Sequence, residues 1–264
     1  MAKGIAGDVD TTQRISWSYK EGQQADKIPW GPHKLPVLLD LEDISIAVVK
    51  NNKSFLYRRY GAGENVEKTI LANKGILTLN PVEPLHKPAE ISNYLLIEFD
   101  QLVIVEPRSK QEVYLTFPLE VACLLEQSGV VGGHLIDIFS FCCSKLTLYG
   151  NVKNGLVCRY WKSLAYTALP AINPLEQGIM KLEIHNSLGR WTEVRRAVFS
   201  AFGMKLYYGT DMVSLDATMK INKELNAETN FNDKPLRKGM SKAVEQFAPR
   251  LIGLQGRMVM EEGY

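Results

Sequence analysis

The chain has 264 residues, 45% of them hydrophobic and 23% charged, a globular mixture that excludes wholesale disorder and leaves room for two domains of average size. Its 31 basic and 29 acidic residues nearly cancel, giving a formal charge of +2, so nucleic acid is not expected as a partner unless a local patch provides for it. No run approaches the roughly 18 apolar residues that span a bilayer, and the N-terminus lacks the apolar core of a secretory signal, so the protein is expected in the cytoplasm, without a transmembrane segment.

Residues 1–35 are polar and weakly periodic and end in Pro29-Trp30-Gly31-Pro32, whose prolines and glycine disfavour helix. They read as an N-terminal arm, either an ordinary flexible terminus or one whose Trp17, Tyr19 and Trp30 anchor a partner. From Asp43 the pattern changes. Ile44 to Lys50, the polar turn Asn51-Asn52-Lys53 and Ser54 to Tyr60 predict a β-hairpin. Gly75 to Leu79 and Tyr94 to Val105 predict further strands, with a proline-punctuated connection from Pro81 to Pro88 between them. Glu112 to Leu125 predicts a strand that Pro118 confines to a sheet edge or bends through a bulge. Gly129, Gly132 and Gly133 then break the pattern, dividing a first β module (36–135) from a second (136–264).

In the second module, Lys145 to Tyr149 and Leu156 to Lys162 predict a hairpin around the turn from Gly150 to Gly155. Ile179 to His185, Trp191 to Phe199, Met204 to Tyr208 and Val213 to Ile221 follow as strands between turn residues. Leu236, Met240, Val244 and Phe247 recur at helical spacing, with Ala243 on the same side, and predict one late helix limited by Pro249. Arg257 to Glu261 predicts a closing strand. Strands about every 8 to 12 residues with no helices between them argue for a mainly β fold of two antiparallel, sandwich-like modules.

Three of these strands interleave arginine with large aromatics: Phe55 to Tyr60, Leu156 to Lys162, and Trp191 to Phe199 with its Arg195-Arg196 pair. Alternation puts Cys158, Tyr160 and Lys162 on one face of the second segment and Val157, Arg159 and Trp161 on the other. Guanidinium groups stack on aromatic faces and pair bidentately with carboxylate or phosphate, so Arg58, Arg59, Arg159, Trp161 and Arg195 are the candidate ligand-binding residues. The bland alternative is that these arginines cover aromatic surface and pair with Glu183, Glu193 or Asp216.

Catalytic chemistry finds no foothold. Nucleophile-elbow and phosphate-loop motifs are absent, and His33, His86, His134 and His185 are scattered singly, so no catalytic residue, metal site or cofactor is expected. His185 would share a strand face with Glu183. Cys123, Cys142, Cys143 and Cys158 are too sparse for a disulfide framework and read as thiols. The expectation is a non-enzymatic binding, accessory or assembly protein presenting an arginine and aromatic sheet surface to a protein partner or an anionic ligand. The alternative is an enzyme or sensor for a small anionic sugar or phosphate compound bound between the modules.

Several phrases in order carry a resemblance: Asn80-Pro81-Val82-Glu83-Pro84, Tyr94 to Phe99, Leu115-Thr116-Phe117-Pro118, Leu146 to Gly150, Cys158 to Ser163, and Ala197-Val198-Phe199 followed by Gly203-Met204. Over Leu41 to Glu261 the chain resembles the archaeal family catalogued as domain of unknown function 432. That resemblance implies an archaeal, intracellular setting and carries over no catalytic residues. It also implies an accessory or regulatory role near a membrane-channel protein encoded nearby; self-association is the other partner expected.

Overall fold

The computed structural model describes residues 30–87, 91–127, 133–142, 145–246 and 257–264, and their regular secondary structure is almost wholly strand. The first six are β1 (Gly31–Lys34), β2 (Val37–Leu41), β3 (Ile44–Asn51), β4 (Ser54–Tyr60), β5 (Val66–Ile70) and β6 (Ile76–Val82). Next come β7 (Tyr94–Val105), β8 (Ser109–Pro118), β9 (Glu120–Glu126), β10 (His134–Phe139), β11 (Lys145–Tyr149) and β12 (Leu156–Ser163). The rest are β13 (Gln177–Asn186), β14 (Thr192–Ser200), β15 (Tyr207–Tyr208), β16 (Val213–Ile221), β17 (Ala227–Asn232), β18 (Ser241–Lys242) and β19 (Met258–Met260). The protein is mainly β.

Period-two burial builds two cores. In β3 and β4, Ile44, Ile46, Val48, Phe55 and Tyr57 point inward. From the β2-β3-β4-β5 meander they pack on Leu77, Leu79, Val121 and Phe139 of a sheet ordered β1-β6-β9-β10. The second core lies between the sheet β11-β12-β7-β14 and the sheet β18-β15-β16-β13-β8, which also carries β17 and β19. Each fully buried Leu, Ile or Phe side chain contributes about 1.5–3 kcal/mol.

The chain does not fill these cores in consecutive blocks. After β6 it crosses to lay β7 and β8 in the second core, returns to the first for β9 and β10, and crosses again for β11 to β19. The boundary expected between 135 and 136 falls inside β10, because β10 pairs with β9 and β9 with β6. Pro118 marks one crossing. It ends β8, the outermost strand of its sheet, and after Leu119 the chain resumes as β9 in the other sandwich, so proline sits at an edge, where its missing N–H is tolerated.

Both predicted hairpins form, β3 with β4 and β11 with β12, and the closing strand forms as β19. Two ladders depart from the antiparallel expectation: β12 runs parallel to β7, and β13 parallel to β16. Within the predicted arm, Gly31–Lys34 pairs with β6, while Trp30 packs against both cores and lies 6.5 Å from the Tyr208 ring. Trp17 and Tyr19 lie outside the described residues.

Among the described residues the late helix does not form. Gly239 at φ +87° interrupts the segment, Ser241–Lys242 pairs with β15, and the Ala243 N–H donates to the Leu206 carbonyl at 2.9 Å. Met240, placed by its spacing on a helix face, instead brings its sulfur 3.4 Å from Ser214 Oγ. Phe247 and Pro249 lie outside the described residues, among which the 3-10 turn Ala201–Gly203 is the only helical element. Cys123 and Cys158 are buried free thiols, Cys142 is half-buried, and Cys143 lies outside the described residues.

Candidate functional site

The five sequence-selected residues go to different places. Arg58 faces outward on β4 and pairs with Glu67, its cross-strand neighbour, at 2.7 Å. Arg59 turns into the first core, where its Nε donates to Asp137 Oδ2 at 2.6 Å, its Nη1 to the carbonyls of Gly61 and Glu64, and its guanidinium lies 5.1 Å from the centre of the Phe139 ring. Burial opposes its charge, but the hydrogen bond and charge of Asp137 outweigh burial and raise its pKa. Tyr57 donates to the same carboxylate at 2.7 Å, and Cys123 Sγ lies 3.5 Å from its hydroxyl. Burial pushes the Tyr57 hydroxyl far upward and the Cys123 thiol up to about 12.

Arg159 is equally buried, on the inward face of β12. It donates to the carbonyls of Leu85, Lys87 and Ser92 at 2.7, 2.8 and 3.3 Å; burial lowers its pKa and the nearby Glu120 charge works the other way. Glu120 accepts the backbone N–H groups of His86 and Lys87, both at 2.9 Å, with His86 Nδ1 at 2.8 Å. Two buried charges from two cores thus clamp one crossover connection. Trp161 is half-buried, its indole N–H donating to Thr116 Oγ1 at 3.0 Å at the edge of a shallow groove of about 350 Å³.

Arg195 alone of the five lies open on the surface, its side chain 71% exposed, with Glu193 no nearer than 3.6 Å. The four candidate arginines therefore do not converge on a single cleft between the sandwiches.

Around Arg195 the β7–β14 ladder breaks. Val194 pairs with Val103 and Arg196 with Glu98, so Phe99, Asp100, Gln101 and Leu102 face Arg195 alone. Such a bulge reverses the alternation of side chains and re-aims them. Adjacent Arg195 and Arg196 consequently line the same cleft of about 690 Å³, with Glu98, Phe99, Leu102, Gly263 and Tyr264. Arg196 donates to the Glu262 carbonyl at 2.7 Å and stacks 5.0 Å from the centre of the Tyr149 ring, whose hydroxyl donates to the Gly263 carbonyl at 3.0 Å.

The outward face of β12 meets this cleft. The Tyr160 pKa is raised by burial and then by the Glu98 carboxylate, while Lys162 pairs with Asp100. Of the second interleaved segment, then, Lys162 is the cross-strand neighbour of Glu98 in this cleft and shares the smaller groove with Trp161, and Arg159 lines neither.

The described strands β1 to β19 and the bulge cleft are built almost entirely from residues 29–261, and this span matches the model of a family described as Protein of unknown function (DUF432). The chain belongs to this family. Within this DUF432 chain, only Glu262, Gly263 and Tyr264 of the residues just named lie beyond the match. No curated protein and no solved structure matches it. No helix among the described residues is long and apolar enough to cross a membrane.

Next to the cleft the DUF432 chain exposes large apolar groups. Ile104 faces Glu193 across the ladder, and alternation puts Leu102, Ile104, Trp191 and Arg195 on one face. Trp191 is 64% exposed and Ile104 59%. Sequence alternation selects Arg195 here but misses Arg196, Glu98 and Leu102, since a bulge leaves no mark in residue type. His185 and Glu183 pair on β13, and hydrogen bonding to His185 lowers the Glu183 pKa.

Proposed function

We propose that the protein acts by binding and not by catalysis, as a cytoplasmic accessory or assembly protein that meets a protein partner through the β7–β14 face. One observation carries this reading: Leu102, Ile104, Trp191 and Arg195 are all exposed on one face of the β7–β14 ribbon, and Leu102 and Arg195 line the bulge cleft. Contiguous exposed apolar surface is costly to leave in water, and tryptophan and arginine are the residues most enriched where binding energy concentrates. The other candidate arginines support the same reading, because Arg59 and Arg159 direct their donors to oxygens of the protein itself.

The test is a paired substitution. Ile104→Ser with Trp191→Ala removes the apolar patch from side chains that support no core. It should weaken capture of the partner from native extract, remeasured with purified components, by about 30-fold, the scale of a lost tryptophan anchor. Leu71→Ser, at another exposed apolar position, should leave binding intact. Equal binding by all three proteins would exclude this face.

A further inference from the structure

We infer that the bulge cleft takes an extended acidic segment of the partner, with a carboxylate on Arg195 and an apolar side chain against Phe99 and Leu102. The inference rests on the binding reading above and adds to it the chemistry of the chain that docks.

The backbone supplies the first reason. Among the described residues, Asp100, Gln101 and Leu102 have no cross-strand partner in either ladder that β7 makes, whereas Phe99 pairs with Ser163 and Val103 with Val194. β14 is itself the outermost strand of its sheet. Asp100, Gln101 and Leu102 are exposed residues outside both ladders, and an extended segment can pair with such a ribbon as an added strand does, alternate side chains entering the cleft.

Charge supplies the second. Three charged side chains line the cleft: Arg196 is engaged by the Glu262 carbonyl and the Tyr149 ring, and Glu98 lies on the ladders between Lys162 and Arg196. Asp100, on the same bulge, is held by Lys162. Arg195 meets Glu193 only at 3.6 Å, beyond hydrogen-bond distance, and is largely exposed. Its planar fork suits a bidentate carboxylate, and a basic segment would bring a like charge against it. Phe99 and Leu102 offer the apolar wall beside it. An acidic residue and an apolar one, two positions apart in an extended chain, point the same way and match this pair.

The experiment uses the full chain and a fluorescein-labelled hexapeptide alternating aspartate with leucine, followed by anisotropy at low salt. Saturable binding is expected. It should weaken about tenfold when asparagine replaces aspartate, and by a similar factor in Arg195→Gln, the cost of one charge-assisted pair. Equal binding of the aspartate and asparagine peptides, indifference to Arg195→Gln, or no binding of either peptide would overturn the inference. If the peptides fail while Ile104→Ser with Trp191→Ala still weakens partner capture as above, this inference falls and the reading of the face stands. A wild-type dimer that Arg195→Gln dissociates in sedimentation would make the occupant a second copy, and also overturns it.

Discussion

Replacing Asp137 by alanine tests whether the first interleaved segment is structural. Asp137 Oδ2 receives both the Arg59 Nε and the Tyr57 hydroxyl, at 2.6 and 2.7 Å, and the Arg59 side chain has no exposed surface. Breaking a buried pair from one side leaves an uncompensated charge and costs about 3–5 kcal/mol. The Glu64 carboxylate, 3.4 Å away and more than half exposed, offsets little of that. The orphaned Tyr57 hydroxyl keeps only a sulfur at 3.5 Å, which places the expected loss toward the upper end, at about 4 kcal/mol. With a urea m-value of about 3 kcal/mol/M, the midpoint should fall by about 1.3 M at unchanged slope. Asp137→Asn keeps an acceptor and should lose about half as much. The triple variant Tyr57→Phe, Arg59→Met, Asp137→Leu removes all the polar partners together and should lie closer to wild type than Asp137→Ala does. A loss below about 1 kcal/mol in Asp137→Ala would show that Arg59 reaches solvent and would refute the reasoning.

Further outcomes follow from other sites. Thr78 Oγ1 is buried with no hydrogen-bond partner among the described residues, so Thr78→Val should be neutral or stabilise the fold by about 1 kcal/mol in a thermal melt. A clear destabilisation would reveal a partner for it. Cys123 and Cys158 are buried, with pKa values pushed up to about 12 and about 11; in Cys142→Ser, Cys143→Ser protein at pH 8 they should react with iodoacetamide only after denaturation. Rapid labelling of the native protein would contradict their placement. Asp233 is held below its ordinary pKa by hydrogen bonds from Lys242 and Tyr207. Because its folded pKa lies below its unfolded one, its stabilising effect is complete above about pH 5 and is lost as pH falls through and below about 4. Asp233→Asn should flatten that acid limb slightly, by well under 1 kcal/mol since the carboxylate is half-exposed.

Much of the fold was legible because its local signals are strong. Asn51-Asn52-Lys53 divides two alternating apolar runs, and Asn52 takes the left-handed φ of +53° that asparagine tolerates. The 12 residues of β7 and the 10 of β13 read as strands from their β-branched and aromatic content. By contrast β17 buries Ala227, Thr229 and Phe231 between glutamate and asparagines, a pattern too polar to stand out. The Leu236, Met240, Val244 spacing fits a helix only if Gly239 keeps a right-handed conformation, and it does not. Pairing β7 and β8 with strands far along the chain is a long-range choice that local patterning does not encode.

The site was legible in part. Residue types pointed to three arginine and aromatic strands, and the third, with Arg195, does reach an open cleft. Alternation divided the second strand into two faces but could not say which faces the core. The face with Arg159 and Trp161 turned inward because the crossover carbonyls and Thr116 receive them, leaving Tyr160 and Lys162 outside.

Photo-crosslinking in the native host tests the account most directly. With a crosslinking amino acid at Ile104, at the centre of the exposed face, irradiation should yield one discrete protein adduct, and that adduct should vanish when Arg195→Gln and Trp191→Ala are added. The same amino acid at Leu38, on β2 and similarly exposed, should yield none. Equal adducts from both positions, or an Ile104 adduct indifferent to Arg195 and Trp191, would contradict the claim that the protein binds through the β7–β14 face.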